Sequence, residues 1–417
     1  MNLKKKDSIN MKLAFIGAGN RLTFQYAVNL NKHFSQEVNI VGVYDSNIVR
    51  AKQLSERLNA HVVVFASAET MLEMTQPDTV LIGTTDSTHD EYIELAMKYG
   101  CDVICEKPIT TTPEKAKRIK VAQEKYQKKL TVTFNYRFNP IASLLKQVIQ
   151  SSKIGQINSI HFEWMLDQHH GADYFRRWHR VKANSGGLQV HKSTHHFDFI
   201  NWLLESKPES VVAYGELKFY GSQNNAYYGE HCRVCKHQNE CPFFQNYNND
   251  EEIKSLYYQA EHIDHYHRDG CVFHPEIDIE DTISALIHYE NDVDLTYKLI
   301  AYAPYEGYNL SISGSEGRIE AKDYHGLAGP FANQQMYDLK IFFNDGRVEE
   351  IIVPVLEGSH GGGDDKMMTM LFSNQNIKDE FNQMADAQQG FNAAYIGMAI
   401  NQSMKENRVV KIAEMEL

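Results

Sequence analysis

The sequence predicts an α/β protein that opens on a parallel, doubly wound sheet. Two observations carry that reading. Through the first third, short buried strands alternate with amphipathic stretches of helical length, and the first strand runs straight into a glycine turn. From Met11 the chain reads "MKLAFIGAGNRLTFQYAVNL": strand, turn, helix. "VNIVGVYDS" is a second buried strand that ends in Asp45, "DTVLIGTTDSTHDEYIELAMKYG" repeats strand, polar loop and helix, and "CDVICEKPIT" adds a further strand.

The bulk numbers bound the rest. A chain of 417 residues has room for two or three domains, and 42% hydrophobic with 23% charged residues is ordinary for a soluble globular protein. The formal net charge of −12 argues against a nucleic-acid partner, which needs a basic face. No apolar run is long enough for a membrane span. The start "MNLKKKDSIN" lacks the apolar core and cleavage site of a secretory signal, so residues 1–10 are expected to be a disordered lead-in and the protein cytoplasmic. Six cysteines fit a reducing compartment.

The glycine turn has a mechanical meaning. Gly17 permits the tight turn, and Gly19 lets a dinucleotide pyrophosphate approach the backbone at the positive end of the next helix. The third fingerprint position is Leu22, where Gly or Ala is usual, so looser packing of helix on strand is expected there. Asp45, at the tip of the second strand, is placed to accept from a ribose diol. Its charge repels a 2′-phosphate and favours NAD over NADP, with Arg21 and Arg50 as the counter-argument.

"GGLQVHKSTHHFD", residues 186–198, crowds three histidines, a lysine and an aspartate together. As one helix it places His191, His195 and Asp198 at i, i+4 and i+7 on a common face, with His196 about 100° away. That face suits a zinc ion, a proton-transfer device, or a polar stripe that only binds water.

Taken in order, "GAGN", "GTTDSTHDEYIELAMKYGCDVICEKPIT", "TFNYRFNP", "GGLQVHKSTHHFDFINWLL" and "HGGGD" resemble the glucose–fructose oxidoreductase/inositol dehydrogenase (Gfo/Idh/MocA) family from about Met11 to the C-terminus. The resemblance implies a Rossmann domain over 11–136. It implies a second α+β domain over 137–417, whose open, mostly antiparallel sheet covers the nicotinamide. "INSIHFEW", "SVVAYGELKFY", "TISALIHYE", "VDLTYKLIAY" and "YNLSISGSEGRIEA" have the alternation such a sheet needs. The last helix, from roughly "QNIKDEFNQMADAQQG", is expected to pack back on the body. Expected dinucleotide contacts are Gly17, Gly19, Asn20, Arg21, Asp45, Thr84, Thr85, His89, Glu106 and Lys107.

The family pairs the lysine of E-K-P with an acidic residue and a histidine four positions apart, which map to Lys107, His191 and His195. Two departures stand out: His191 replaces the usual aspartate, and Ser193 the usual glycine. Oxidising a secondary alcohol requires the hydroxyl proton to leave as hydride departs, so a base near pKa 7 is needed. His195 is that candidate base. Lys107, partly desolvated, would donate to the same oxygen. His191, neutral, can hold substrate hydroxyls; protonated, it favours an anionic substrate. Tyr136, Arg137, Lys192, His196 and Asp198 are candidate substrate contacts, Arg137 equally a structural ion-pair partner. His360 and Asp364 of "SHGGGD" are looser candidates.

"EHCRVCKHQNECPFF" gives C-x2-C-x5-C, and Cys271 supplies a fourth thiol thirty residues later. Cys232, Cys235, Cys241 and Cys271 satisfy a tetrahedral zinc that would staple an insertion over about 221–275. An iron–sulfur cluster, or no metal, are the alternatives. Cys101 and Cys105 read as packing residues.

The sequence therefore points to an NAD-dependent oxidoreductase acting on a sugar or cyclitol. A glycoside-cleaving enzyme that oxidises its sugar only transiently, and a non-catalytic sugar-binding or regulatory protein, are the competing readings. The resemblance also implies a homo-oligomer, dimer or tetramer.

Overall fold

The computed structural model describes residues 10–416 except 59–61, 226–227, 327–328, 333 and 357–360. Five strands build the first sheet: β1 (Met11–Ile16), β2 (Val38–Tyr44), β3 (Thr79–Ile82), β4 (Asp102–Cys105) and β5 (Leu130–Val132). All are parallel, in the order β5-β4-β3-β1-β2. Helices cover both faces, so β1, β3 and β4 read as unbroken apolar runs rather than alternating ones. Cys101 and Cys105 are buried in this core, as expected.

The second domain holds a nine-stranded sheet of β6 (Ile157–Asp167), β7 (Pro208–Glu216), β8 (Thr282–Tyr289), β9 (Asp294–Ala303), β10 (Glu306–Gly314), β11 (Gly317–His325), β12 (Met336–Phe343), β13 (Val348–Glu350) and a C-terminal β15 (Val410–Lys411). Its order is β13-β12-β11-β10-β6-β9-β8-β7-β15, antiparallel except for the β6–β9 pair. Alternation decides which face is buried: Leu295, Tyr297 and Leu299 of β9 point inward beside Phe162 and Trp164 of β6. Against them packs the helix Thr194–Leu204, through Phe197, Phe199 and Ile200.

The C-terminal segment ties the domains together. β14 (Ala385–Asp386) adds antiparallel to β5, and β15 (Val410–Lys411) adds to β7 at the far sheet. Between them runs the helix Ala387–Glu406. It begins about twelve residues later than the sequence suggested, because Asp386 and Gln389 form a capping box there. Upstream, Asp379 turns back to accept from the amides of Gln383 and Met384, which holds that stretch out of the helix.

The cysteine-bearing insertion lies between β7 and β8. It has little regular structure: a 3-10 turn at Cys232–Val234 and short helices at Glu251–Leu256 and Glu261–Asp264. No described helix is long and apolar enough to cross a membrane.

Candidate active site

The glycine turn closes as its sequence requires. Gly17 has φ +105°, and a Cβ there would meet the carbonyl oxygen of Gly83 at 2.7 Å. Leu22 overturns the expectation of loose packing, since it is 1% exposed. The small residue has moved to the facing strand: a Cβ on Gly83 would stand 1.9 Å from Leu22 Cδ1. Asp45 stands at the tip of β2 and accepts from the amides of Ala18 and Asn47, each at 2.7 Å. Its remaining lone pairs are what a ribose diol would meet.

Several expected cofactor contacts prove to hold the turn and the lysine in place. Arg21 donates Nε to Glu106 at 2.9 Å and pairs with Asp364 at 3.0 Å. Glu106 also accepts from the Tyr26 hydroxyl at 2.7 Å. Burial opposes its ionisation, but Arg21 and Tyr26 outweigh that and hold the carboxyl below the ordinary range. Arg50 pairs with Asp45 and Asp264. Both cations that could have welcomed a 2′-phosphate are thus engaged by carboxylates. His89 is buried, and its Nδ1 lies 2.8 Å from the Pro108 carbonyl, which anchors the loop carrying Lys107. Thr84 and Thr85 lie past the end of β3, where Thr84 shares a hydroxyl contact with Thr88 at 2.8 Å.

Lys107 enters the cleft from the end of β4. Its Nζ donates to the His191 carbonyl at 2.9 Å and stands 3.5 Å from His191 Nε2. Burial, only partly countered by Asp86 and Glu106, brings its pKa down to about 8. The other ring nitrogen of His191 lies 2.5 Å from Asp86 Oδ2. Burial first, then Lys107, holds His191 well below the usual imidazole range, so the neutral ring shares one hydrogen bond with the Asp86 carboxyl. Burial pushes Asp86 up, with Lys107 opposing. Asp86, His191 and Lys107 therefore stand in one hydrogen-bonded row.

The histidine segment is not one helix. It breaks at Lys192–Ser193, between Leu188–His191 and Thr194–Leu204. His195 stays half-buried against the Phe134 ring, 6.0 Å between centroids. Asp198 and His196 turn away from the cleft, which corrects their expected substrate role. Asp198 is locked in a fully buried bidentate pair with Arg137, at 2.7 and 2.5 Å. His196 stacks on Trp164 at 4.1 Å and meets the Tyr297 hydroxyl at 2.7 Å. Tyr136 likewise points into the second-domain core, donating to Asp323 at 3.0 Å. Asp364 braces Arg21 and Asn135 rather than facing a ligand, and His360 lies outside the described residues.

Other residues take the vacated places. His179, whose ring stacks on Trp178, lies 4.3 Å from the His191 ring. Its Nδ1 is buried without a hydrogen-bond partner among the described residues. Glu306, at the start of β10, meets His170 at 2.7 Å and His325 at 3.8 Å. Lys192 lies over the Trp164 ring at 5.2 Å and adds its charge to those that hold Glu306 ionised against burial. The only sequence cue for Asp86 and His179 was an ionisable residue next to a strand end or an aromatic, which is too common to single them out.

The four insertion thiols, all unbridged, line one water-sized cavity of about 20 Å³ together with Phe243 and Val272. Cys232, Cys235 and Cys271 each accept a backbone N–H at 3.4 Å, from Gln245, His237 and Phe273. The described donors standing within 4.8 Å of one another are instead His231, His267 and Asp269, and Arg233 already occupies that carboxylate.

A glycine-turn cradle opening onto a buried lysine–histidine pair defines a nucleotide-dependent oxidoreductase. Residues 11–134 match the model of the oxidoreductase family's NAD-binding Rossmann fold, and 146–412 that of the same family's C-terminal alpha/beta domain. The chain belongs to the Gfo/Idh/MocA oxidoreductase family. It is 33% identical over 423 residues to the putative oxidoreductase YteT of Bacillus subtilis (strain 168), covering 97% of this chain and 98% of that one. It is 27% identical over 177 residues to an inositol 2-dehydrogenase of Rhizobium meliloti (strain 1021), covering 42% and 51%. Among solved structures, the WlbA dehydrogenase from Bordetella pertussis, in complex with NADH and UDP-GlcNAcA, superposes with a TM-score of 0.64 at 16% identity, covering 96% and 98%.

Proposed function

We propose that this protein oxidises a secondary alcohol of a sugar or cyclitol with NAD, using Lys107 and His195 for proton transfer. The observation that carries the reading is the Asp86–His191–Lys107 chain at the mouth of the dinucleotide cradle. Bound NAD supplies the hydride acceptor. Lys107, with a pKa near 8, is poised to hold the alcohol oxygen and stabilise alkoxide character as the proton leaves. His195 takes that proton. His191, kept neutral and oriented by Asp86, fixes the Lys107 ammonium and offers its ring to a substrate hydroxyl.

NAD is preferred to NADP because Asp45 faces the ribose position while Arg21 and Arg50 are tied to carboxylates. The insertion thiols are proposed to hold a structural zinc, and the chain to assemble as a homo-oligomer through the open face of the nine-stranded sheet. Absorbance at 340 nm across a panel of sugars, cyclitols and aryl glycosides tests the reaction. Substrate-dependent NADH accumulation supports the dehydrogenase. Aglycone release with no net NADH replaces it with transient oxidation and elimination, and NAD binding without any turnover on the panel counts against both.

A further inference from the structure

The insertion does more than decorate the second domain, because it reaches across to the nucleotide cradle. Tyr257 accepts from the amide of Asn20 at 3.0 Å, and that amide lies at the start of the helix where a pyrophosphate is received. The contact is fixed from both sides. Asn47, fully buried, donates to the carbonyl of Ala260 at 2.9 Å, and Arg57 donates to Ser255 at 2.8 Å. Arg50 pairs with Asp264. The segment from Ser255 to Asp264 is thereby laid along the helix Ile48–Glu56 that follows Asp45.

Behind Tyr257 sits a buried guanidinium on which Asp173 and Tyr266 act without a close ion pair. Arg268 is 6% exposed, and its guanidinium lies over the Tyr257 ring at 4.6 Å. Among the described residues its Nε is buried without a hydrogen-bond partner, and no carboxylate stands within ion-pair distance, Asp173 acting from farther away. A buried guanidinium is costly unless something pairs with it. Three other arginines of the cleft each have a carboxylate partner: Arg177 has Asp173, Arg233 has Asp269 and Arg21 has Glu106. Among the described residues, Arg268 alone of these four has no carboxylate within ion-pair distance. The rigid hairpin around it is secured by the next residue, Asp269, which accepts from the amide and side chain of Arg233.

We propose that Arg268 and Tyr257 form a second wall of the dinucleotide site, clamping the cofactor's pyrophosphate against the glycine turn. The site then takes its anion from two domains, with backbone amides on one side and a guanidinium and a phenol on the other. This rests on the NAD-binding reading above.

The test is binding rather than turnover. Titration calorimetry with NAD, ADP and adenosine would be run on the full chain, as wild type, Arg268→Gln and Tyr257→Phe. Loss of a charged hydrogen bond should weaken NAD and ADP by roughly tenfold to a hundredfold in Arg268→Gln, and leave adenosine unchanged. Tyr257→Phe should weaken the same two ligands by a smaller factor. Equal weakening of all three ligands would mean that Arg268 only supports the fold, and overturns the clamp. Unchanged ADP affinity overturns it too, leaving the guanidinium for a substrate anion. A wild type that binds ADP but not NAD, or neither, sinks the NAD reading itself and the clamp with it.

Discussion

Asp86 Oδ2 lies 2.5 Å from His191 Nδ1, so the carboxyl group missing from position 191 is supplied from the loop after β3. The family resemblance puts an aspartate where this chain has His191. Here an imidazole spans the gap and passes the influence of Asp86 on to Lys107, 3.5 Å beyond. The acidic group has been displaced by one side chain.

Replacing Asp86 by Asn removes the charge that most strongly favours the Lys107 ammonium. The lysine's apparent pKa should then fall below about 8, and kcat should drop with NAD affinity unchanged. His191→Asp, by contrast, brings a second carboxylate against Asp86, and like charges at that range disfavour each other. It should be more damaging than His191→Asn, and the double variant Asp86→Asn/His191→Asp should recover part of the loss. A pH–rate profile of each variant checks the order.

Lys107 itself should show its role in the pH dependence of kcat/KM, which reports free-enzyme groups. If the ammonium holds the alcohol oxygen, oxidation slows as pH rises through about 8. Lys107→Met should cost about 10²–10⁴ in kcat and erase that limb. His195→Gln should instead lower kcat and leave that basic limb in place. A basic limb that survives in Lys107→Met would assign it to another group.

Strand order, the glycine turn and the E-K-P lysine were legible because each is a local pattern: apolar runs, a forced φ, a residue at a strand end. The break at Lys192–Ser193 was not, since the apolar period runs through it and only packing against β9 reveals where Asp198 must face. Leu22 looked like a defect in the fingerprint, yet its partner Gly83 lies sixty-one positions away. Separations of 105 and 237 positions likewise hid Asp86 from His191 and Tyr257 from Asn20. Residues that work in pairs across domains leave no local mark.

Arg137 and Asp198 offer a clean separation of structure from chemistry. Both side chains are within 2% of full burial and bind each other through two oxygens. Burial raises Asp198, while Arg137 opposes this. Removing one partner strands the other charge, so Arg137→Ala should cost about 3–5 kcal/mol of stability. Protein that remains folded should bind NAD normally. Urea unfolding beside NAD titration checks both halves, and a selective loss of substrate affinity would return Arg137 to the cleft.

The insertion thiols predict one zinc per chain by elemental analysis. Cys235→Ser should lower the metal content and the unfolding temperature, because a structural zinc contributes directly to folding. Iron with visible absorbance would identify a cluster instead. Metal-free protein with unchanged thermal stability would leave the thiols as packing residues around their small cavity.

Acid should destabilise the fold sharply. Burial holds His89, His179, His191 and His196 below the ordinary imidazole value of 6.5. The unfolded chain therefore binds more protons than the native one below that pH, and stability falls as pH drops through it. His325 works in the opposite sense. Burial is outweighed by Asp323 and Glu306, which raise it to about 9, so its contribution is full below 6.5 and fades as pH rises towards 9. The four imidazoles outnumber His325 and Asp86, whose raised carboxyl acts in the same sense as His325, so the urea midpoint should be lower at pH 5.5 than at 7.5. His196→Asn, which takes one neutral ring out of the core, should shrink that difference, while His325→Gln should reduce stability at pH 6.5 more than at pH 9. A midpoint that does not move between pH 5.5 and 7.5 would mean these rings are paired or hydrated in a way their burial contradicts.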